Sequence, residues 1–155
     1  MSPNPSDSGL FRLDPRLEAD GPVVADLPLS HVRLVDDARF FWLVLVPRRV
    51  DRVEIMDLEP EERALLMEEI TAVSQVLKGV TGCAKLNVAA LGNMVPQLHV
   101  HVVARNPGDA AWPGPVFGVG TREKLDEATR NARLDAIRKG LGPLVLLAEG
   151  ARGQD

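Results

Sequence analysis

A short stretch in the second half of the chain constrains its fold most, because polar and apolar side chains alternate along it. Residues 97–103 read Gln-Leu-His-Val-His-Val-Val, and successive side chains of a β-strand point to opposite faces of a sheet. One face would carry Gln97, His99 and His101, and the other Leu98, Val100 and Val102. Burial of the apolar face fixes the strand register, since a slip of one residue would bury both imidazoles. We therefore expect the working site on the polar face.

The rest of the chain contains further strand and helix patterns. Strands are predicted at residues 11–13, 23–27, 31–35, 39–46, 85–91 and 97–104; the third and fourth form a hairpin, and the last two form the central hairpin. The longest helix is predicted to begin at Pro60 and to end near Lys78 and Gly79, with its aliphatic residues toward the sheet. A brief helical turn is predicted after Asp14, and residues 124–139 alternate charged and apolar residues as a surface helix does.

The composition favours a single globular domain. Of the 155 residues, 45% are hydrophobic and 26% are charged, and a chain of this length buries roughly two-thirds of its unfolded surface. We expect the domain at residues 10–149, with flexible ends at residues 1–9 and 150–155. The formal net charge of −4 argues against nucleic acid or a membrane as a partner, since both need a concentrated positive field. With no apolar leader, no membrane-length apolar run and Cys83 as the single cysteine, the chain is predicted to be cytoplasmic.

The histidine pair is chemically suited to a phosphate group. Neutral imidazole is a nucleophile and an acid or base near pH 7, and two rings on one strand face can hold one small anion between them. Two other interpretations of His99 and His101 stay open: polar decoration of an exposed face, and zinc or iron ligands, although no third ligand stands at an obvious spacing. His31 and Cys83 are predicted to be structural. The basic residues that follow strands are predicted to be solvated: Arg48, Arg49 and Arg105.

The histidine strand belongs to a longer ordered pattern. Landmarks at residues 34–37, 43–49, 57–58 and 85–88 precede the run at residues 91–105, and together they cover about residues 30–105. This pattern resembles the histidine triad (HIT) superfamily, whose motif alternates three polar positions, mostly histidine, with apolar ones. Two positions depart from it: Gln97 stands where most members begin the triad with histidine, and Val50 where relatives often have another histidine. Glutamine donates a hydrogen bond to a phosphate oxygen but does not titrate.

The resemblance implies a fold and a set of residue roles. The fold would be α+β, with an antiparallel sheet of about five strands, one main helix and a C-terminal helix, and the protein would be a homodimer. His99 would attack the α-phosphorus of a nucleotide and carry a nucleotidyl-histidine intermediate. His101 and Gln97 would hold phosphate oxygens, with His101 the better candidate for moving a proton. The remaining contacts implied are Asn87 and Asn93 on the phosphate side and Asp36 on the ribose hydroxyls.

Two functions from different classes follow from this pattern. The first is a nucleotidyl hydrolase or transferase that acts on a dinucleoside polyphosphate or a nucleoside phosphoramidate. The second is a nucleotide sensor or scaffold that binds without turnover, because Gln97 has replaced a histidine. No cofactor is required for either function, and magnesium would enter only with a polyphosphate substrate.

Overall fold

An antiparallel sheet flanked by helices organises the protein. The computed structural model describes residues 9–152, and the side chains through residue 145. The strands are Val23–Asp26 (β1), Ser30–Leu34 (β2), Phe41–Pro47 (β3), Lys85–Ala89 (β4) and Val100–Arg105 (β5), and the helices are Pro15–Ala19 (α1), Pro60–Thr81 (α2) and Glu127–Arg152 (α3). The sheet has five strands in the order β1-β2-β3-β5-β4, and every neighbouring pair is antiparallel. This is the predicted α+β architecture.

Helix α2 covers one face of the sheet, as its apolar spacing predicts. Its buried aliphatic residues join a cluster with alternate residues of the strands, while Leu65 and Val76 pack against the edge of that cluster. The helix starts at Pro60 behind a capping box between Glu59 and Glu62, which supplies acceptors for the first N–H groups. It ends later than predicted, because the left-handed residue that terminates it is Gly82 (φ 63°) rather than Gly79.

Helix α3 runs well beyond the predicted residues 124–139. Gly140, Gly142 and Pro143 end a helix in many sequences, but here they lie inside it. The packing between α3 and α2 explains this continuation. A Cβ atom at Gly140 would lie only 2.3 Å from Cγ1 of Val76, so the absent side chain lets the two helices approach closely. Leu141, in the next position, is 1% exposed in the main core.

A second, smaller cluster of apolar side chains covers the opposite face of the sheet. It contains Leu17, Val35, Phe40, Trp42, Val44, Val46, Val103 and Val116. Helix α1 and the loop after β5 supply its outer layer, and β3 and β5 supply its base. His101 lies on this same face, opposite Val44 of β3 and Ala89 of β4. The histidines therefore lie beside a layer of buried apolar side chains.

Several predicted boundaries are wrong in instructive ways. Strand β5 begins at Val100 rather than at residue 97, because the N–H of Leu98 donates to the carbonyl of Arg52 instead of joining the sheet. The hairpin of β4 and β5 is not central, since β4 is an edge strand. Residues 11–13 form no strand. The expectation of flexible ends falls mostly outside the described residues and stays a prediction. Among the described helices, none has a stretch long and apolar enough to span a bilayer.

Candidate functional site

A cavity of about 730 Å³ opens on the sheet face that carries the second cluster, a volume within the usual range for small-molecule sites. Both His99 and His101 line it, together with Asn93 from the loop between β4 and β5. Its other walls come from α1, from the loop around Met94 and from the segment 116–122 after β5. The cavity therefore brings together parts of the chain that are far apart in sequence.

The ring of His99 is held by a carbonyl group. Its Nδ1 lies 2.6 Å from the backbone oxygen of Gln97, and a carbonyl oxygen only accepts hydrogen bonds. Nδ1 therefore carries a proton, and in the neutral ring the lone pair is on Nε2. His99 is 7% exposed, so the packing around it and this hydrogen bond restrict the ring to one orientation.

The ring of His101 has the opposite tautomer. The indole N–H of Trp42 donates to its Nδ1 across 3.0 Å, and because an indole only donates, Nδ1 of His101 carries no proton. The proton of the neutral ring is then on Nε2. Burial, with smaller contributions from the neighbouring His99 and Arg122, lowers the pKa of His101 from 6.5 to about 4. His101 is thus a neutral hydrogen-bond donor at pH 7.

The two rings and their aromatic neighbours form one packed group. The centroids of His99 and His101 are 5.0 Å apart with an interplanar angle of 74°. Phe117 lies 4.9 Å from His101 and 5.6 Å from Trp42, in both cases edge to face. Such contacts add packing energy beyond area burial. Together with the hydrogen bond from Trp42, these contacts restrict the orientation of the His101 imidazole.

Gln97 does not line the cavity. Its side-chain oxygen accepts from the N–H of Asp14 at 2.9 Å, and its side-chain nitrogen donates to the carbonyl of Arg12, also at 2.9 Å. The amide thus pairs with the backbone of the segment that leads into α1. In this structure the first triad position ties the N-terminal segment to the site loop.

The other predicted nucleotide contacts divide between the cavity and its surroundings. Asn93 lines the main cavity. Asn87 lines a neighbouring cavity of about 330 Å³ that also touches His101, and its Oδ1 accepts from Nη1 of Arg105 at 2.7 Å. Asp36 lies outside both, and its Oδ1 accepts the N–H of Leu125 at 2.8 Å. The structure therefore joins His99, His101 and Asn93 in one cavity, and separates Asp36 and Gln97 from it.

The prediction that the arginines after strands are solvated is wrong for Arg105. This side chain is 1% exposed, and its guanidinium forms an ion pair with Asp109 at 2.7 Å. It also donates to the carbonyl of Gly114 at 2.8 Å. The pKa of Asp109 is held well below its usual range by the hydrogen bond from Arg105. Arg105 thus fastens the loop after β5 to Asn87 on the edge strand.

Three arginines of the cavity were not identified from the sequence: Arg16, Arg39 and Arg122. Arg16 is held by Asp14 and by the carbonyl of Met94. Each of the other two has an aspartate partner, Asp37 for Arg39 and Asp20 for Arg122. No local spacing marks these residues, since they come from α1, the β2–β3 turn and the segment after β5. Only their convergence in the fold identifies them.

The described side chains also bear on the metal interpretation. Among them, no three histidine, cysteine or acidic residues come together as a group that would hold a metal ion. His31 forms an ion pair with Asp26, with its Nδ1 2.6 Å from Oδ1. Cys83 is 3% exposed in the main core. Both residues have the structural role predicted for them.

Comparisons with known proteins show which family the chain is similar to. The HIT domain model matches residues 16–108, more than half of the chain. A histidine triad protein from Bradyrhizobium japonicum has 50% identity and a TM-score of 0.83, over 84% of this chain and 98% of that one. A histidine triad (HIT) protein from Sinorhizobium meliloti has 46% identity and a TM-score of 0.83, over 84% and 97%. One from Marinobacter aquaeolei has 39% identity and a TM-score of 0.85, over 88% and 99%.

No curated protein matches the chain. The family match nevertheless begins within α1 and covers all five strands, including the strand that carries His101. The same fold recurs over nearly the full length of the similar histidine triad structures. This chain is therefore a member of the HIT domain family of histidine triad proteins.

Proposed function

We propose that this protein is a nucleotidyl hydrolase or transferase, with His99 as the nucleophile that attacks the α-phosphorus of a nucleoside phosphate derivative. The observation that carries the proposal is the pair of opposite tautomers. His99 has its lone pair on Nε2 because Nδ1 donates to the Gln97 carbonyl. His101 has its proton on Nε2 because Trp42 donates to Nδ1. Nε2 of His99 thus has the lone pair needed for attack on phosphorus, and Nε2–H of His101 can donate a hydrogen bond to a phosphate oxygen.

The chemistry divides into two displacements at phosphorus. Nε2 of His99 forms a bond to the α-phosphorus while the bond to the leaving group breaks, and the leaving group departs with that electron pair and takes a proton from solvent. Water then attacks the phosphorus and releases a proton to solvent, the P–N bond breaks, and its electron pair returns to Nε2 of His99. A different acceptor in place of water makes the same step a transfer. Most of the rate in such reactions comes from positioning and from stabilised charge.

The neighbours of His99 support each step. The imidazole ring becomes cationic when Nε2 is bonded to phosphorus, and the Gln97 carbonyl that accepts from Nδ1 stabilises that charge. The Nε2–H of His101 donates to a phosphoryl oxygen, and the amide of Asn93 supplies a further donor in the same cavity. The low pKa of His101, about 4, keeps it a neutral donor while the reaction proceeds near pH 7. Attack is thus assigned to His99, and phosphate binding to His101.

The test is direct detection of the intermediate. The protein is mixed with diadenosine triphosphate or with adenosine 5′-phosphoramidate, quenched, and weighed as an intact protein. We expect an added adenylyl group on the wild type and none on His99→Ala. His31→Ala is the matched control, because His31 lies outside the cavity and pairs with Asp26. Equal labelling of the wild type and His99→Ala would refute the assignment of His99 as the nucleophile.

The same assay separates the enzyme from a nucleotide sensor. Tight nucleotide binding without label or product between pH 5 and pH 9 would favour the sensor. Guanylyl and uridylyl substrates in the same panel reveal the base preference. Parallel assays with magnesium and with a chelator test whether the ion accompanies the substrate.

We also propose that the protein is a homodimer. Strand β4 leaves one edge of the sheet open, and its Val88 is 49% exposed. Helix α2 exposes Met67 (60%) and Val80 (43%). An open strand edge with exposed apolar residues favours pairing with another chain. Light scattering after size-exclusion chromatography should give twice the chain mass of 16.8 kDa, and a single chain mass at micromolar concentration would contradict the dimer.

A further inference from the structure

Arg122 and Asp20 form an ion pair on the wall of the histidine cavity. Nη1 of Arg122 lies 2.9 Å from Oδ1 of Asp20, and both side chains line the cavity. They are 102 positions apart in the chain, and Arg122 lies beyond the residues 16–108 that match the family model. The pair therefore joins Asp20, inside the matched residues, to Arg122 in the segment after β5.

The backbone around Arg122 is held in place on both sides. The carbonyl of Val119 accepts from Nη1 of Arg39 at 2.6 Å, and the N–H of Leu125 donates to Asp36 at 2.8 Å. The N–H of Ala38 also donates to the carbonyl of Glu123 at 2.6 Å. The turn between β2 and β3 thus clamps the segment that carries Arg122. The side chains of Asp36 and Arg39 hold the backbone of this segment.

The guanidinium of Arg122 lies over the site rather than away from it. Its central carbon is 5.4 Å from the centroid of a Trp42 ring, and Trp42 is hydrogen-bonded to His101. The side chain of Arg122 is 43% exposed, whereas His99 and His101 are 7% and 8% exposed. Arg122 therefore stands at the rim of the cavity, with the histidines at its floor.

Arg122 also forms fewer hydrogen bonds within the described residues than the other two arginines of the cavity. Arg39 pairs with the fully buried Asp37 through two nitrogens, and Arg16 is bonded both to Asp14 and to the carbonyl of Met94. Within residues 9–145, the one hydrogen bond of Arg122 goes to Asp20. An exposed ion pair of this kind contributes little to stability. The guanidinium of Arg122 can therefore release the Asp20 carboxylate and bind phosphate oxygens instead. Its planar array of N–H donors matches the geometry of a phosphate group.

We propose that Arg122 binds a second anionic group of the substrate, beyond the phosphate at the histidine pair, and that Asp20 occupies Arg122 while the cavity is empty. The proposal rests on the proposed function and names its substrate class: nucleoside derivatives whose leaving group carries a phosphate. An uncharged amine leaving group would gain nothing from Arg122. In this arrangement His99 and His101, at the floor of the cavity, bind the reacting phosphate. Arg122, at the rim, binds the phosphate of the leaving group.

The turnover test compares two substrates with the same nucleoside. Arg122→Gln should lower kcat/KM for diadenosine triphosphate by about 10-fold to 100-fold, the effect of losing a charge-assisted hydrogen bond. It should change kcat/KM for adenosine 5′-phosphoramidate by less than about 3-fold. Arg122→Lys should recover part of the loss. Lys124→Gln removes the same charge at an exposed position outside the cavity, and it controls for long-range attraction of anions.

Asp20→Asn provides the reciprocal test. It removes the carboxylate that competes with the substrate for Arg122, so kcat/KM for the triphosphate should rise several-fold. In the double variant with Arg122→Gln this gain should vanish. A gain from Asp20→Asn that persists without Arg122 would overturn the pairing, and so would equal losses from Arg122→Gln on both substrates.

A binding experiment tests the role of Arg122 independently of catalysis. Calorimetry with ATP and AMP measures how much the additional phosphates add to affinity, whether or not either nucleotide is turned over. The wild type should prefer ATP, and Arg122→Gln should reduce that preference by about 10-fold or more. An unchanged preference overturns the role of Arg122. A reduced preference without any labelling of His99 would support Arg122 while refuting the nucleotidyl transfer.

Discussion

The indole N–H of Trp42 donates to Nδ1 of His101 across 3.0 Å, and this one hydrogen bond determines which ring nitrogen of His101 carries the proton. Trp42 faces the site because it lies on the same side of β3 as Val44, which pairs with His101. It also packs against Phe117, with ring centroids 5.6 Å apart. A residue outside the histidine motif therefore determines how the motif is protonated.

Replacing Trp42 with phenylalanine should release His101 from its tautomer. The ring nitrogens of the wild type should give the NMR pattern of an Nε2–H tautomer for His101 and an Nδ1–H tautomer for His99. In Trp42→Phe, His101 should show a mixture, since Nδ1 has lost its donor. Phe117→Leu keeps the donor and removes only an aromatic contact, so it should leave the tautomer unchanged. An Nδ1–H signal from His101 in the wild type would contradict the assignment.

The low pKa of His101 predicts a loss of stability in mild acid. Burial lowers this pKa from 6.5 to about 4, so between these values the unfolded chain binds a proton that the folded protein does not. Stability is unaffected above about pH 6.5 and falls as the pH drops toward 4. The loss between pH 7.5 and pH 5 should be about 2 kcal/mol.

Urea unfolding of wild type and His101→Gln measures this linkage. The free energy of unfolding should depend less on pH in the variant over pH 5 to 7.5, because glutamine does not titrate. Glu69, whose pKa burial raises, is present in both proteins and cancels in the difference. Parallel pH curves would show that His101 does not carry the effect.

Gln97→His should not improve the enzyme, although it restores the usual first residue of the triad. The carboxamide of Gln97 accepts from the N–H of Asp14 and donates to the carbonyl of Arg12 along one edge, and an imidazole does not present both groups in that direction. The variant should lose about 1–2 kcal/mol of stability and should exchange the amide of Asp14 faster with deuterium.

Two comparisons make the Gln97 result specific. Gln97→Glu keeps the acceptor for Asp14 but loses the donor to Arg12, so it should show an intermediate increase in exchange. Gln75→His makes the same change at an exposed position on α2 and should leave exchange near Asp14 unchanged. Wild-type exchange rates in Gln97→His, together with a gain in turnover, would refute the anchoring role.

Glu69 should be important for stability although it does not line the cavity. Its carboxylate is 2% exposed and accepts the N–H groups of Leu29 and Ser30, each at 2.8 Å. Glu69→Ala leaves both donors buried without an acceptor, which should cost about 2–4 kcal/mol. Glu68→Ala, at the exposed neighbouring position, should change stability by less than about 0.5 kcal/mol. Denaturant unfolding of the two variants gives the comparison.

Local patterns in the sequence predicted most of the fold. The strands and α2 appear near their predicted positions because alternation and helical spacing depend on which face of an element is buried. The predicted boundaries failed where a distant group intervened. Leu98 donates to Arg52 rather than extending β5, and α3 passes through Gly140 because Val76 of α2 lies against it.

The ordered pattern over about residues 30–105, which includes the histidine strand, indicated the family, and the resemblance supplied His99 as the nucleophile candidate. The alternation within the strand predicted its apolar face, because successive side chains of a strand point to opposite sides. Only the tertiary structure decided what surrounds those histidines. It placed the amide of Gln97 on the N-terminal segment, gave Asp36 a partner at Leu125, and brought Trp42 and Arg122 to the cavity. These are single hydrogen bonds and contacts between residues far apart in the chain. No local spacing encodes them, because they depend on how separate elements pack together.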